Sequence, residues 1–243
     1  MALIITGGIG FLTWDDIKLN KWHVSKYRMQ SKVILTVSGV LIAIPAVYFF
    51  FGEFSHLPIN ERIWSSLFQA VTPRTAGFNT ADLTVFSETG KILIILLMIV
   101  GGSPGSTAGG MKTTTLAVLF SSAISVFRKK EDTHFFGSRL PDKTERHAAT
   151  IALMYLVLFV TSGMVISRIE NLPLLTSLFE TASAIGTVGL SLGITPTLGA
   201  VSKIILILLM FLGRVGGLTL IFAVFSKSNY EKSKYPQEKI TVG

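Results

Sequence analysis

The chain has 243 residues, of which 49% are hydrophobic and only 15% charged. A soluble domain of that length carries about 25% charged residues to stay dissolved, so the composition points into a membrane. The absence of cysteine excludes disulfides and thiolate chemistry, and the net charge of +8 fits either nucleic acid or basic cytoplasmic loops until its distribution is read.

In chain order, Met1 to Phe11 is apolar without a basic leader and does not read as a signal peptide. Val33 to Phe51 is an apolar run that just crosses a hydrocarbon layer of about 30 Å. Ile63 to Val71 is about ten residues long, too short to cross, and leads into a Gly-containing segment. Ile92 to Val100 is a second apolar run, stopped by the Gly-rich stretch Gly101–Gly110, and Leu116 to Phe127 is apolar again. Read as one helix, Lys91 to Phe127 would be ~55 Å long, more than a bilayer needs, so a break is expected in its middle. Ala148 to Ile166 is a clear span, Leu174 to Ile185 another short piece, and Ile204 to Phe225 a last span with Arg214 in its middle. Short helices that enter and turn back are re-entrant pore helices or buried core helices.

The charges settle the topology. Most of the 22 basic residues gather in three segments: Lys18 to Lys32, Arg128 to Arg146, and Lys227 to Lys239. Cytoplasmic loops of membrane proteins collect Lys and Arg, which places these three segments inside and the short helices outside. Nucleic acid is therefore not the expected partner; the bilayer is. The four histidines are scattered without a metal-binding pattern, and no nucleophile–base pair is evident, so an enzyme is not expected.

An internal repeat runs through the chain at an offset of 112 residues. Lys91-Ile-Leu-Ile-Ile-Leu-Leu-Met98 falls on Lys203-Ile-Ile-Leu-Ile-Leu-Leu-Met210, and Thr75-Ala-Gly-Phe-Asn79 on Thr187-Val-Gly-Leu-Ser191. Upstream, Leu67-Phe68 falls on Leu178-Phe179 after a one-residue gap. The predicted units are 13–130 and 131–226, each a span, short helix, Gly loop and span, with 227–243 as a cytoplasmic tail. Residues 1–12 resemble the end of a further returning span whose beginning is missing, so the chain reads as cut.

Two segments carry the chemistry. Stripping water from a potassium ion requires several oxygens at fixed positions, which a narrow strand supplies by aiming successive carbonyls at one axis. Thr75, Ala76, Gly77, Phe78 and Asn79 are one candidate strand, and Thr187, Val188, Gly189, Leu190 and Ser191 the other. Each follows a pore-helix-sized segment, whose negative dipole end would face the cation. A lone Thr-x-Gly is common and usually marks a turn; two copies in a duplicated membrane unit are a stronger signal. In the Gly-rich stretch, Gly101, Gly102, Ser103, Pro104, Gly105, Ser106, Thr107, Ala108, Gly109 and Gly110 read as unwound backbone that lines a pathway, or else as a hinge for close helix packing. Its near fit to a phosphate loop fails because Met111 intrudes before Lys112 and no strand precedes it. Arg214 at membrane depth should face a pore or a carbonyl-lined cavity. Lys112 anchors the broken helix, Arg74 braces the first loop, and Glu180 makes a polar contact behind the second. Asp82 and Glu88 could gather cations at the outer mouth.

Thr72-Pro-Arg-Thr-Ala-Gly-Phe-Asn-Thr80, Gly101 to Thr115, Thr187 to Ser191 and Gly213-Arg-Val-Gly-Gly217 together resemble the Trk/Ktr/HKT potassium transporters, and within them the bacterial Ktr-type membrane subunit. The resemblance covers essentially the whole chain. It implies an all-α membrane fold of four span–pore helix–span repeats related to potassium channels, of which this chain matches the third and fourth with the tail of the second. It further implies potassium (K+) uptake, passive or coupled to sodium (Na+), selectivity at the two Gly-bearing strands, and an intramembrane gate at Gly101–Gly110 with Arg214. A homodimer in the cell membrane, a cytosolic nucleotide-binding regulatory ring and no bound cofactor complete the expectation. A sodium-permeating relative, or a non-conducting fragment or assembly subunit, are the alternatives.

Overall fold

The computed structural model describes residues 1–130 and 132–216, and within them the chain is helical apart from one small hairpin. Helices α1 (Ala2–Ile9) and α2 (Phe11–Asn20) are separated by Gly10, whose φ of 91° no side-chain-bearing residue adopts easily. A Cβ there would lie 2.4 Å from the Pro104 carbonyl oxygen, so close backbone approach also demands glycine. The unit boundary expected at residue 12 thus falls inside α2.

Helix α3 (Met29–Phe51) and, after the short helix α4 (Ile59–Val71), helix α5 (Glu88–Ile99) form the first unit with α6 (Thr113–Phe127). A hairpin of β1 (His134–Phe135) and β2 (Ser138–Arg139) leads into the second, made of α7 (Asp142–Glu170), α8 (Leu174–Ile185) and α9 (Ala200–Val215). Helices α3 and α7 are long and apolar enough to cross a membrane. The short helices α4 and α8 begin directly after Pro58 and Pro173, whose fixed φ suits a helix start.

The expected break is present: twelve-residue α5 ends at Ile99 and the chain resumes helix only at Thr113. The helix of the last span breaks where its apolar pattern does not. Helix α9 ends at Val215, and Gly216 follows with φ 87°, so Arg214 sits in the last turn of the described helix, and the rest of the expected span, 217–225, lies outside the described residues. Positive charge at a helix C-terminus meets the negative end of the dipole, a more favourable place than the middle of an apolar run. Residues 217–243, including the tail and its lysines, lie outside the described residues.

The core sits where the units meet. Helix α8 packs against α7, α5 and α9, while α4 packs against α3. Phe179, Ile185, Ile94, Met98, Tyr155 and Ile166 are almost wholly buried in this seam. Beside them Phe49, Phe54 and Phe86 form an aromatic cluster, with Phe54 and Phe86 edge to face at 5.5 Å between centroids. Burying such rings contributes on the order of 2–3 kcal/mol each, and it fixes the bases of both short helices.

Candidate functional site

The two Gly-bearing strands come together. A Cβ added to Gly77 would stand 2.0 Å from the Val188 carbonyl oxygen and 3.2 Å from the Gly189 Cα. Both strands share an unusual backbone: φ is positive at Thr75 (63°) and Gly77 (68°), and at Thr187 (52°) and Gly189 (96°). A β-branched residue in that region is a genuine outlier, held only where the surroundings over-determine it. Positive φ at every second residue turns successive carbonyls to the same side of the chain. Sequence reading did not foresee it at either threonine.

The N–H groups of these strands are committed to their own short helices. Ala76 and Gly77 N–H donate to the Thr72 carbonyl at 3.2 and 3.1 Å. Val188 N–H donates to the Ser183 carbonyl at 2.9 Å, and Gly189 N–H to Ser183 Oγ at 3.2 Å. Among the described residues no hydrogen bond reaches the carbonyl oxygens of Thr75, Ala76, Gly77, Thr187, Val188 or Gly189. Oxygens left unspent at a convergence of two strands are free to accept a cation.

Behind the second strand, buried Glu180 makes the contact expected of it. Its carboxylate accepts from Ser191 Oγ at 2.7 Å, Leu192 N–H at 2.9 Å and Thr195 Oγ1 at 2.7 Å. A cavity of about 450 Å³ lies beside this strand, walled by Glu180, Ser183, Leu206, Met210 and Arg214. At the first strand Thr72 Oγ1 donates to the Phe78 carbonyl at 2.7 Å, and buried Arg74 reaches back to Ser38 Oγ at 3.1 Å. Leu190 is buried, whereas Phe78 is exposed.

The Gly-rich stretch lies against the start of the second strand. A Cβ on Gly109 would collide with Thr187 Oγ1 at 2.1 Å, and Gly110 N–H donates to the Gly213 carbonyl at 3.2 Å. The stretch is folded on itself: Gly101 N–H donates to the Met111 carbonyl at 2.8 Å, and Ser103 Oγ meets Thr113 Oγ1 at 3.0 Å. It is also tied to the N-terminal helices, since Ser103 N–H donates to the Gly8 carbonyl and Phe11 N–H to that of Gly105. Arg214 donates from Nη1 to the Thr107 carbonyl, and Lys112 from Nζ to that of Ala108. Two cations therefore hold the loop by its carbonyls. The unwound backbone thus has several of its polar groups answered within the protein.

Beyond the end of α3 and at the end of α7, two carboxylates that sequence reading passed over repeat the design. Glu53 accepts from Ser87 N–H at 3.1 Å and from Ser87 Oγ, above the start of α5. Glu170 accepts from Gly199 N–H at 2.9 Å and from Ser202 Oγ, above the start of α9. Each stands at the end of its unit's first span and caps the positive end of the returning helix. Lys91 and Lys203, already in register, donate to the Thr84 and Pro196 carbonyls at 2.7 and 3.0 Å. Asp82 accepts from the Thr84 hydroxyl and N–H, which hold its carboxyl below the usual range. Glu88 serves the first turn of α5.

Comparison with known proteins agrees with this architecture. The family described as TrkH, cation transport protein, matches residues 15–234. The chain is 39% identical over its whole length to the potassium/sodium uptake protein NtpJ of Enterococcus hirae, covering 56% of that protein. It is 37% identical over 99% of its length to the Ktr system potassium uptake protein B of Bacillus subtilis, covering 55%. The chain thus spans about half the length of these curated relatives. The crystal structure of the potassium transporter TrkH from Vibrio parahaemolyticus superposes with a TM-score of 0.75 at 19% identity, over 92% of this chain and 50% of that one. That likeness shows the fold. The chain belongs to the TrkH family of cation transport proteins.

Proposed function

We propose that this chain contributes two of the walls of a potassium uptake pore, with the strands Thr75–Asn79 and Thr187–Ser191 as its selectivity filter and the carbonyls of Thr75 to Gly77 and Thr187 to Gly189 as its free oxygens. The observation that carries the reading is the convergence of the two strands, N–H groups turned back and carbonyl oxygens unbonded. Those oxygens would replace the water around a cation. The C-terminal ends of α4 and α8 would add their negative dipole ends.

The Gly101–Gly110 loop, against Thr187 and held by Arg214, is the gate of this reading. Displacing it requires the Arg214–Thr107 bond to open, which couples the last turn of α9 to the loop. Potassium is the favoured ion because the relatives are named for its uptake; sodium, which one of them also names, is the second candidate for permeation or coupling. The same relatives support a place in the cell membrane as a subunit of a larger system. The resemblance adds a homodimer and a cytosolic nucleotide-binding ring, for which the basic inner loops are the available surface.

A second reading rests on coverage: a chain half as long as its relatives supplies half of an ion cage and conducts only with further chain beside it. Uptake of rubidium into liposomes holding the folded chain separates the two. Uptake abolished by Gly189→Asp supports a filter within this chain, and uptake indifferent to that substitution contradicts it. No uptake from folded protein assigns the second reading.

A further inference from the structure

We infer that the turn between α2 and α3 is a seat for anionic lipid headgroups, with Trp22 as its anchor in the bilayer surface. The turn is closed by its own hydrogen bonds. The N–H groups of Lys21, His23, Lys26 and Tyr27 donate to the carbonyls of Ile17, Asn20, His23 and Val24 at 2.9 to 3.1 Å. The Tyr27 hydroxyl donates back to the Lys21 carbonyl. Buried Asp16 of α2 accepts from Ser31 Oγ at 2.6 Å and from Arg28 N–H at 3.1 Å, which clamps the end of α2 beside the first turn of α3. Because α3 is long and apolar enough to cross a membrane from Met29 onward, the turn stands where that span leaves the hydrocarbon. This level rests on α3 as a span and not on the filter.

The surface turned away from α3 is apolar and basic together. Trp22 is 95% exposed, Phe11 73% and Leu19 68%. Water covers such groups poorly, and an indole is favoured at the headgroup level, where its ring meets hydrocarbon and its N–H meets water. Lys21 and Lys26 stand with Leu19, Trp22 and His23 around an open cavity of about 220 Å³ that no carboxylate lines.

Charge selects the lipid. Between Asp15 and Lys32, Lys18, Lys21, Lys26, Arg28 and Lys32 face only the carboxylates of Asp15 and Asp16, an excess of three positive charges. Arg28 takes both carboxylates, so Lys18, Lys21 and Lys26 form no ion pair among the described residues. The hairpin that Lys32 reaches through Phe136 changes nothing, because Arg139, Lys143 and Arg146 balance Asp132, Asp142 and Glu145. Lysines at a bilayer surface draw anionic lipid. An acidic polypeptide would answer the lysines and leave the apolar side chains at the end of a span to water; the bilayer answers both. At its other end α2 touches the Gly-rich loop, Phe11 N–H on the Gly105 carbonyl at 3.2 Å, so a lipid at the turn is one short helix away from that loop.

The test is tryptophan fluorescence of the full chain in vesicles of phosphatidylcholine and phosphatidylglycerol in equal parts, one or the other brominated on its acyl chains as a quencher. Trp14→Phe with Trp64→Phe leaves Trp22 as the reporter. Should that chain fail to fold, the difference between the unaltered chain and Trp22→Phe gives the same signal. Quenching should place phosphatidylglycerol beside Trp22 about tenfold more often than phosphatidylcholine. Lys18→Gln, Lys21→Gln and Lys26→Gln together should equalise the two lipids, and a preference that survives them overturns the proposal. Equal quenching with the lysines in place overturns it as well. Trp22 reached by iodide but by neither lipid overturns the anchor, and Trp22 shielded from lipid and iodide alike gives the turn to a protein partner or a second copy. Val40→Trp, made with Trp22→Phe in the same background, reports on the span itself. Quenched while Trp22 is not, it lays the failure on the turn alone; unquenched, it takes α3 out of the bilayer and the proposal with it.

Discussion

In the first unit Thr75 and Gly77 take positive φ after α4, and in the second Thr187 and Gly189 do so after α8, yet the two loops sit in different surroundings. Arg74 and Gly186 occupy the same place at the 112-residue offset. Gly186 is pressed by α5: a Cβ there would stand 2.2 Å from the Met98 carbonyl oxygen. The matching place in the first unit borders α1, where Ile4 and Ile5 leave room for an arginine. The polar residue of each short helix differs as well. Glu180 ties the chain beyond its Gly-bearing strand through three bonds, whereas Gln69, its counterpart, is buried with Nε2 unpaired. A repeated backbone can thus be held by unlike contacts, and the loop conformation is the part both units keep.

That contrast can be broken at several points, the largest first. Gly77→Ala meets both a positive φ and a backbone oxygen at 2.0 Å and should cost about 3–4 kcal/mol in unfolding experiments, with loss of any rubidium uptake. Gly189→Ala has the same handedness, but its nearest heavy atom is 4.0 Å away, so only the backbone strain of about 1–2 kcal/mol is expected. Equal costs at the two glycines would contradict the asymmetric packing.

Glu180→Ala removes a charged acceptor from three donors and should destabilise by about 2–3 kcal/mol in denaturant titrations. Gln69→Leu, which deletes an unpaired buried amide, should be close to neutral. Ser87→Ala removes the N-cap of α5, whose hydroxyl accepts from Gly90 N–H at 3.0 Å, for about 1 kcal/mol. The second unit has Gly199 at that place and no side-chain cap, so Gly199→Ser, with its N–H on Glu170 as that of Ser87 is on Glu53, should add a cap and stabilise by a few tenths of a kcal/mol. Arg214→Ala frees the Thr107 carbonyl and should raise rubidium uptake wherever uptake is measurable; a fall would remove Arg214 from the gate.

The smallest effect concerns pH. Asp82 is held below the ordinary carboxylate range by Thr84, so its ionised form is favoured in the folded chain. The stability from this pair is present above the ordinary carboxylate pKa and is lost as pH falls through the lowered one. Thr84→Ala should move the Asp82 titration, followed by NMR, upward towards the ordinary value.

Much of this was legible in the chain itself, for physical reasons. Apolar runs of bilayer length, short apolar pieces and a Gly-rich interruption each leave a composition signal, and α3, α4, α7, α8 and the break at Val100 follow from them. The fixed offset exposed the paired Thr-x-Gly segments and the two lysines. Glu53 and Glu170 escaped because loops of unequal length carry them out of that offset, although each sits just before a proline that opens a short helix. The positive φ of Thr75 and Thr187 escaped because nothing in a threonine announces it; only packing around the strand enforces it. The end of α9 at Val215 escaped because the apolar pattern runs on past Gly216, and hydropathy does not register a backbone turn.

The central claim is that unbonded carbonyls of two converging strands accept a potassium-sized cation. Diffraction from crystals grown in thallium, a heavy stand-in of similar size, tests it directly. Anomalous density beside the Thr187 and Gly189 carbonyls, facing Gly77 and lost on replacing thallium with lithium, is the expected result. Thallium bound only at outer carboxylates such as Asp82, with the strands bare, would contradict the account.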